Sequence, residues 1–326
     1  MTTPLCTIVL VSWNRRSELA DALDSIFRQT IADRLEVIVI DNGSSDGTRE
    51  WLLADARPIR LYGFARNMGA SHARNAGIKL ASAPHVCFLD SDAVLIENDV
   101  IERCLAALAQ NPAIRAVACD IWLDREMTQP FAFGGYITPD GHFCGPRTRT
   151  ERADPHFLST CFAVWERQLL LELGGFDPWY FWGIEDMDLA LRAYHRSRRG
   201  ETNGATRFLI VPGVNVWHNM SGNGRHYSPR DADAVFHAYE RQRLYLVRAY
   251  GGLWEMIKVL IRTPFRLRRV EQMAWERPLT WVQRLQLTVL YPALRLLMLP
   301  AEIVAAKRRR SWETPMPRVL SPESSR

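Results

Sequence analysis

The 326-residue chain predicts an α/β fold with an open, largely parallel sheet, and three observations carry that expectation. Residues 7–12, 36–41 and 85–90 are short, nearly continuous apolar runs, the pattern of strands buried on both faces. Helical periodicities lie between and after them: Leu19, Leu23, Ile26 and Phe27 recur at i, i+4, i+7 and i+8, and Ile101, Cys104, Leu105 and Leu108 at i, i+3, i+4 and i+7. Each apolar run also ends in a polar cluster, at the strand end where such sheets bind their ligands. A hydrophobic fraction of 47% with 24% charged residues supplies a large core and excludes disordered and fibrous classes.

The first run ends in Ser12-Trp13-Asn14-Arg15. The second ends in Asp41-Asn42-Gly43-Ser44-Ser45-Asp46-Gly47, where Asp41 can accept from a base N–H, or where Ser45 or Asp46 can cap the helix that follows. Residues 66–77 read as a helix with small residues at 69, 70, 73, 76 and 77. Either a ligand or a sheet approaches its backbone closely, and Arg74 offers charge to a phosphate or a base carbonyl. Asp90-Ser91-Asp92 closes the third run with two carboxylates, suited to a divalent cation with a diphosphate, or to a turn or cap.

Residues 121–160 lose the alternating rhythm and collect Gly, Pro and aromatics, pointing to loops and an antiparallel excursion. Glu185 and Asp186 follow an aromatic, glycine-punctuated loop and open a helix, where carboxylates cap or act as bases. His218 ends an apolar run over 211–217 and is a structural imidazole or a metal ligand. Residues 251–310 hold 12 Lys/Arg against 4 Asp/Glu, more than the whole net charge of +5, so the basic character belongs to a C-terminal segment. The domain expectation is a catalytic unit over 1–250, a helical basic amphipathic appendage over 251–312 and a flexible tail over 313–326.

Six cysteines without a CxxC pair argue against a zinc ribbon and a disulfide framework and fit a reducing compartment. The N-terminus lacks the basic region and small-residue site of a cleaved signal, and no apolar stretch reaches the roughly 20 residues of a spanning helix. The expected location is cytoplasmic, peripheral on the inner face of the membrane. There residues 279–306, broken by Arg284, Arg295, Glu302, Pro292 and Pro300, lie on an anionic surface. The alternative is that these apolar positions pack on protein.

Taken together, the segments from Thr7 to His218 resemble the inverting family 2 glycosyltransferases, whose catalytic domain has the GT-A fold, a Rossmann-like mixed sheet flanked by helices. The resemblance implies that Ser12, Trp13 and Asp41 hold the nucleobase and ribose, and that Asn67 and Arg74 contact the nucleotide. It implies that Asp90 and Asp92 bind metal and diphosphate, that His218 completes the coordination of Mn²⁺ or Mg²⁺, that Asp186 is the general base and that Glu185 is its acidic neighbour. Asn42 departs from many relatives, which have a second Asp there. The implied reaction moves a hexosyl or rhamnosyl group from a UDP- or dTDP-linked donor to a lipid-linked or glycan acceptor hydroxyl, in cell-envelope or extracellular polysaccharide synthesis. No nucleic-acid partner is expected.

Three other classes fit less well. A nicotinamide dehydrogenase needs Gly-x-Gly-x-x-Gly after the first strand, where this chain has Ser12-Trp13-Asn14-Arg15. A sugar-phosphate nucleotidyltransferase needs a basic, glycine-rich loop there. A non-catalytic carbohydrate-binding protein has no use for both acidic pairs.

Overall fold

The computed structural model describes residues 3–132, 134–137, 141, 143–144, 155–180, 183–219, 246–247, 249–250, 258 and 316–321. The chain forms two compact units, one of Met1–Tyr136, Cys144–His226 and Trp312–Arg326, the other of Ile137–Phe143 and Tyr227–Ser311. The main sheet and the site described below belong to the first; Ile137 and Phe143, in two short strands, belong to the second. The appendage expected over 251–312 lies outside the described residues apart from Lys258.

The three apolar runs become β1 (Cys6–Ser12), β2 (Leu35–Asp41) and β4 (His85–Asp90), joined in parallel with β3 (Ile59–Gly63) between the last two in sequence. Helices α1 (Arg16–Phe27), α2 (Thr48–Leu53) and α3 (Ala70–Leu80) make the crossovers. In α1, Leu19, Leu23 and Ile26 are fully buried, as their spacing requires. The chain then runs through β5 (Ala93–Leu95), α4 (Val100–Ala109), β6 (Ile114–Trp122) and β7 (Pro130–Ala132). Two-residue strands β8 (Tyr136–Ile137) and β9 (Phe143–Cys144) follow. After them come β10 (Phe162–Glu166), α5 (Arg167–Leu173), α6 (Glu185–Arg198), β11 (Arg207–His218) and β12 (Arg318–Val319).

The sheet order is β12-β3-β2-β1-β4-β10-β6-β11-β5, with β7 antiparallel on β6 as the expected excursion. β10 runs antiparallel between β4 and β6, so the sheet is mixed. This reversal matters for function, because it brings the start of β10 to the same edge as the end of β4.

Two expectations change. The helix read from residue 66 starts only at Ala70, because Gly69 adopts φ +86° and the Asn67 side chain accepts its N–H, tying 66–69 into a loop. Within the helix the small residues serve the sheet: a Cβ on Gly77 would sit 2.3 Å from a methyl of Val9 on β1. The tail expected over 313–326 is ordered at 316–321, where Arg318 and Val319 pair antiparallel with Gly63 and Tyr62 and cover the edge of β3. Residues 313–315 and 322–326 lie outside the described residues.

Candidate active site

Strand register assembles an acidic corner. Leu89 of β4 faces Phe162 of β10, and one residue further the Asp90 N–H donates to the Cys161 carbonyl at 3.0 Å. His218, at the end of β11, pairs with Ala93 of β5, and the next N–H, from Asn219, donates to the Asp92 carbonyl at 2.8 Å. His218 Nε2 therefore lies 3.3 Å from Asp92 Oδ1 and 3.8 Å from Asp90 Oδ2.

The charges in this corner shift one another. Burial, augmented by Asp92, raises the Asp90 carboxyl above the usual carboxylate range against the pull of Arg74 and His218. Burial opposes charging of His218, yet Cys161, Asp92 and Asp90 together hold its pKa well above the ordinary value. Its Nε2 lies 3.3 Å from Asp92 Oδ1, close enough for strong attraction. His218 is 94% buried. Two strand-end carboxylates within 3.8 Å of a buried imidazole nitrogen are a donor set that fits a divalent cation.

Arg74 ties this corner to the helix beyond it. One guanidinium nitrogen donates to Asp90 Oδ1 at 2.8 Å and another to Glu185 Oε1 at 2.6 Å, while the group lies over the Phe176 ring at 5.7 Å. Burial penalises the guanidinium, but Asp90, Glu185 and Asp186 outweigh that and raise its pKa. The sequence reading aimed Arg74 at a phosphate or base; in this structure it bridges two carboxylates.

The two acids opening α6 have different surroundings. Glu185 is buried and its second oxygen accepts the N–H groups of Gly183 at 2.5 Å and Ile184 at 3.0 Å, so it is fully engaged in closing the helix start. Asp186 is partly exposed, accepts from Met187 N–H at 2.8 Å, and has only a long 3.4 Å contact from Thr160 N–H on its other oxygen. Burial of its carboxyl, with Glu185 beside it, pushes its pKa up to about 7. The aromatic wall read before this helix is partly core: Phe176 and Tyr180 are fully buried, and Phe181 and Trp182 lie outside the described residues.

At the other end of the strand edge, Ser12 is buried with its hydroxyl unpartnered, and Trp13 is 51% exposed. Asp41 is fully buried, accepting from Ser44 N–H at 3.1 Å and from Arg49 at 2.8 Å. Asn67 accepts from the Asn42 amide at 3.0 Å, and Asn42 in turn accepts from Met68 N–H at 2.9 Å. This explains the Asn at 42: the loop needs a side chain that both donates and accepts, which a carboxylate cannot do. Gly43 makes the crossing possible, with φ +82° and the Arg66 backbone 2.5 Å from where a Cβ would stand.

Three residues at the site were not assigned roles from sequence. Arg15 donates to Asp92 at 2.9 Å, Arg49 holds Asp41, and Cys161 joins Asp90 and His218 in a cluster whose ligand atoms lie within 4.8 Å of one another. Arg15 carried a signal, standing in the loop after β1. Cys161 had none until the antiparallel register of β10 was known.

Fold and corner together define the class: an α/β protein of GT-A architecture with its acidic residues at the carboxyl ends of the sheet. The chain belongs to glycosyl transferase family 2, whose sequence profile matches residues 7–174. It is similar to validoxylamine A glucosyltransferase of Streptomyces hygroscopicus subsp. jinggangensis, 36% identical over 132 residues, covering 39% of this chain and 31% of that protein. It is also similar to the UDP-Glc:alpha-D-GlcNAc-diphosphoundecaprenol beta-1,3-glucosyltransferase of Escherichia coli, 38% identical over 96 residues, 29% of this chain and 37% of that protein. The matches thus span about a third of each relative's length. Among solved structures, a mannosyltransferase from Pyrobaculum calidifontis in complex with GDP-Man and Mn²⁺ shares the fold at a TM-score of 0.51 and 19% identity, over 96% of this chain and 88% of that one.

The raised pKa of Asp186 has a stability consequence. A carboxyl whose folded pKa exceeds its unfolded value stabilises the fold at low pH and loses that contribution as pH rises through about 7. Replacing Asp186 by Asn removes the cost of charging this partly buried carboxyl beside Glu185. Thermal unfolding across about pH 5 to 8.5 should show Asp186→Asn gaining on the native protein as pH rises, by a few degrees at the alkaline end. A melting difference that is flat over this range contradicts the assigned environment.

Proposed function

We propose that the protein is an inverting glycosyltransferase that takes a sugar from a nucleoside diphosphate and delivers it to an acceptor hydroxyl. The observation that carries this reading is the continuous chain of contacts from His218 and Asp92 through Asp90 and Arg74 to Glu185, which sets a cation-binding corner beside a half-open carboxylate. Family membership and the shared GT-A fold support it.

In this reading Asp90, Asp92 and His218 hold a divalent cation, Mn²⁺ or Mg²⁺, which supplies charge against the leaving diphosphate. Trp13, Ser12 and Asn67 border the nucleoside. Asp41 accepts from the base only if Arg49 leaves it an oxygen, since the carboxylate is already engaged. Asp186 rather than Glu185 takes the acceptor proton, at its Oδ2: Glu185 spends both oxygens on Arg74 and the helix start, whereas Asp186 is partly exposed and its pKa of about 7 suits a base at neutral pH. Glu185 positions Arg74 and raises the basicity of Asp186 by its charge.

A panel of UDP-, dTDP- and GDP-sugars assayed for nucleoside diphosphate release, with Mn²⁺, with Mg²⁺ and in excess chelator, tests the class. Release requires a divalent cation, and at limiting acceptor it rises with pH through about 7. Asp186→Asn retains donor binding while turnover falls by roughly two to four orders of magnitude. Full activity in chelator, or an Asp186→Asn variant with native turnover beside an inactive Glu185→Gln, overturns these assignments.

The acceptor follows the same proposal: a lipid-linked or envelope glycan reached at an anionic membrane surface by the basic segment 251–312. The acceptor named for the Escherichia coli relative, a diphosphoundecaprenol-linked sugar, supports it, as does the segment's composition. Among the described residues no helix is long and apolar enough to cross a membrane. The full chain should float with anionic but not neutral liposomes, at about 1 kcal/mol per basic residue engaged. Absence of flotation with either removes the membrane reading.

A further inference from the structure

We propose that Cys161 is a thiolate ligand of the cation site, giving it a mixed sulfur, nitrogen and oxygen donor set that takes Zn²⁺ more tightly than Mn²⁺ or Mg²⁺. The inference rests on the cation-site reading above and deepens it.

Geometry places the sulfur. Cys161 sits immediately before β10, opposite Asp90 in the antiparallel ladder, and its backbone carbonyl already accepts the Asp90 N–H. Its Sγ, a carboxylate oxygen of Asp90 and a ring nitrogen of His218 all lie within 4.8 Å of one another. A tetrahedral ion with bonds of about 2.0–2.3 Å holds its ligand atoms about 3.5 Å apart, so closing the cluster needs movements of about 1 Å. The imidazole faces the same space: His218 is 94% buried, and its Nε2 lies 3.3 Å from Asp92 Oδ1 and 3.8 Å from Asp90 Oδ2. Asp90 keeps 30% of its side chain exposed, which leaves the corner open to an incoming ion.

Chemistry then separates the candidate ions. Mg²⁺ and Mn²⁺ favour oxygen donors and gain little from sulfur, whereas Zn²⁺, Co²⁺ and Cd²⁺ bind thiolate and imidazole strongly. A bound thiophilic cation displaces the thiol proton to solvent as the metal–sulfur bond forms, with no change in oxidation state. Asp90, His218 and Cys161 would supply three ligands to such an ion, with Asp92 beside them at 3.3 Å from His218 Nε2 and its other oxygen held by Arg15. With Mn²⁺ the sulfur stays unbound and positions remain open.

Cobalt reports on sulfur directly, because thiolate-to-Co²⁺ charge transfer absorbs in the near ultraviolet and oxygen or imidazole ligation does not. Co²⁺ is titrated into the full-length native protein, Cys161→Ser and Cys161→Ala, each alone and with saturating UDP, and Zn²⁺ affinity is measured by competition. The native protein develops the charge-transfer band. Both variants bind Co²⁺ without it, their Zn²⁺ affinity falls about tenfold or more, and Mn²⁺ affinity stays within about twofold. Co²⁺ bound by the native protein without the band, or a band that persists in both variants, overturns the cysteine assignment while leaving the cation site intact. No Co²⁺ binding under either condition overturns both.

Discussion

The interaction on which the site depends is the buried guanidinium of Arg74 held between Asp90 and Glu185. Four carboxylates, Asp90, Asp92, Glu185 and Asp186, converge on one small region, and their mutual repulsion would splay β4 away from the start of α6 if nothing opposed it. Arg74 opposes it at the centre and Arg15 at the rim, on Asp92. A buried pair of this kind is worth little against an apolar replacement, but removing one partner strands a charge at a cost of about 3–5 kcal/mol. Its contribution is therefore placement. It holds one oxygen of Asp90 while the other lies 3.8 Å from His218, and it holds Glu185 at the start of α6.

Placement at this level needs rigid supports, and the sheet supplies them. Asp90, Cys161, Asp92 and His218 all stand at strand ends or one residue beyond, so their relative positions follow from ladder register rather than from loop conformation. A one-residue slip of β10 would turn Cys161 to the other face and break its backbone bond to Asp90. The helices are fitted to the same plan: α3, which carries Arg74, approaches β1 closely because Gly77 leaves room for Val9. The ordered segment at 316–321 closes the far edge of the sheet, at β3, away from the acidic corner.

Much of this was legible in sequence where one periodicity dominates. The buried parallel strands announce themselves as apolar runs and the amphipathic helices as spaced leucines, so β1, β2, β4, α1 and α4 fall where their patterns put them. The acidic pairs at 90/92 and 185/186 were visible as carboxylates at element ends. What the sequence conceals is contact across distance. That Arg74 serves carboxylates, that Arg49 occupies Asp41, and that Cys161 faces Asp90 all depend on pairings between residues far apart in the chain. Local signals also misplace the start of α3, because the Asx turn at Asn67 and the positive φ of Gly69 compete with helix formation over 66–69. Tyr180 stands in the aromatic loop before α6 and is fully buried, since loop composition says little about which way a ring points.

The central claim is that the carboxyl ends of β4 and β11 form one cation site coupled through Arg74 to the start of α6. A crystal of the protein soaked with Mn²⁺ and UDP, with diffraction collected at the manganese absorption edge, addresses it most directly. The anomalous peak should stand among Asp90, Asp92 and His218, with Arg74 still bonded to Glu185 and Asp186 facing open solvent beside the diphosphate. A peak elsewhere on the protein, or UDP bound at the strand ends with no metal density beside Asp90, would contradict it.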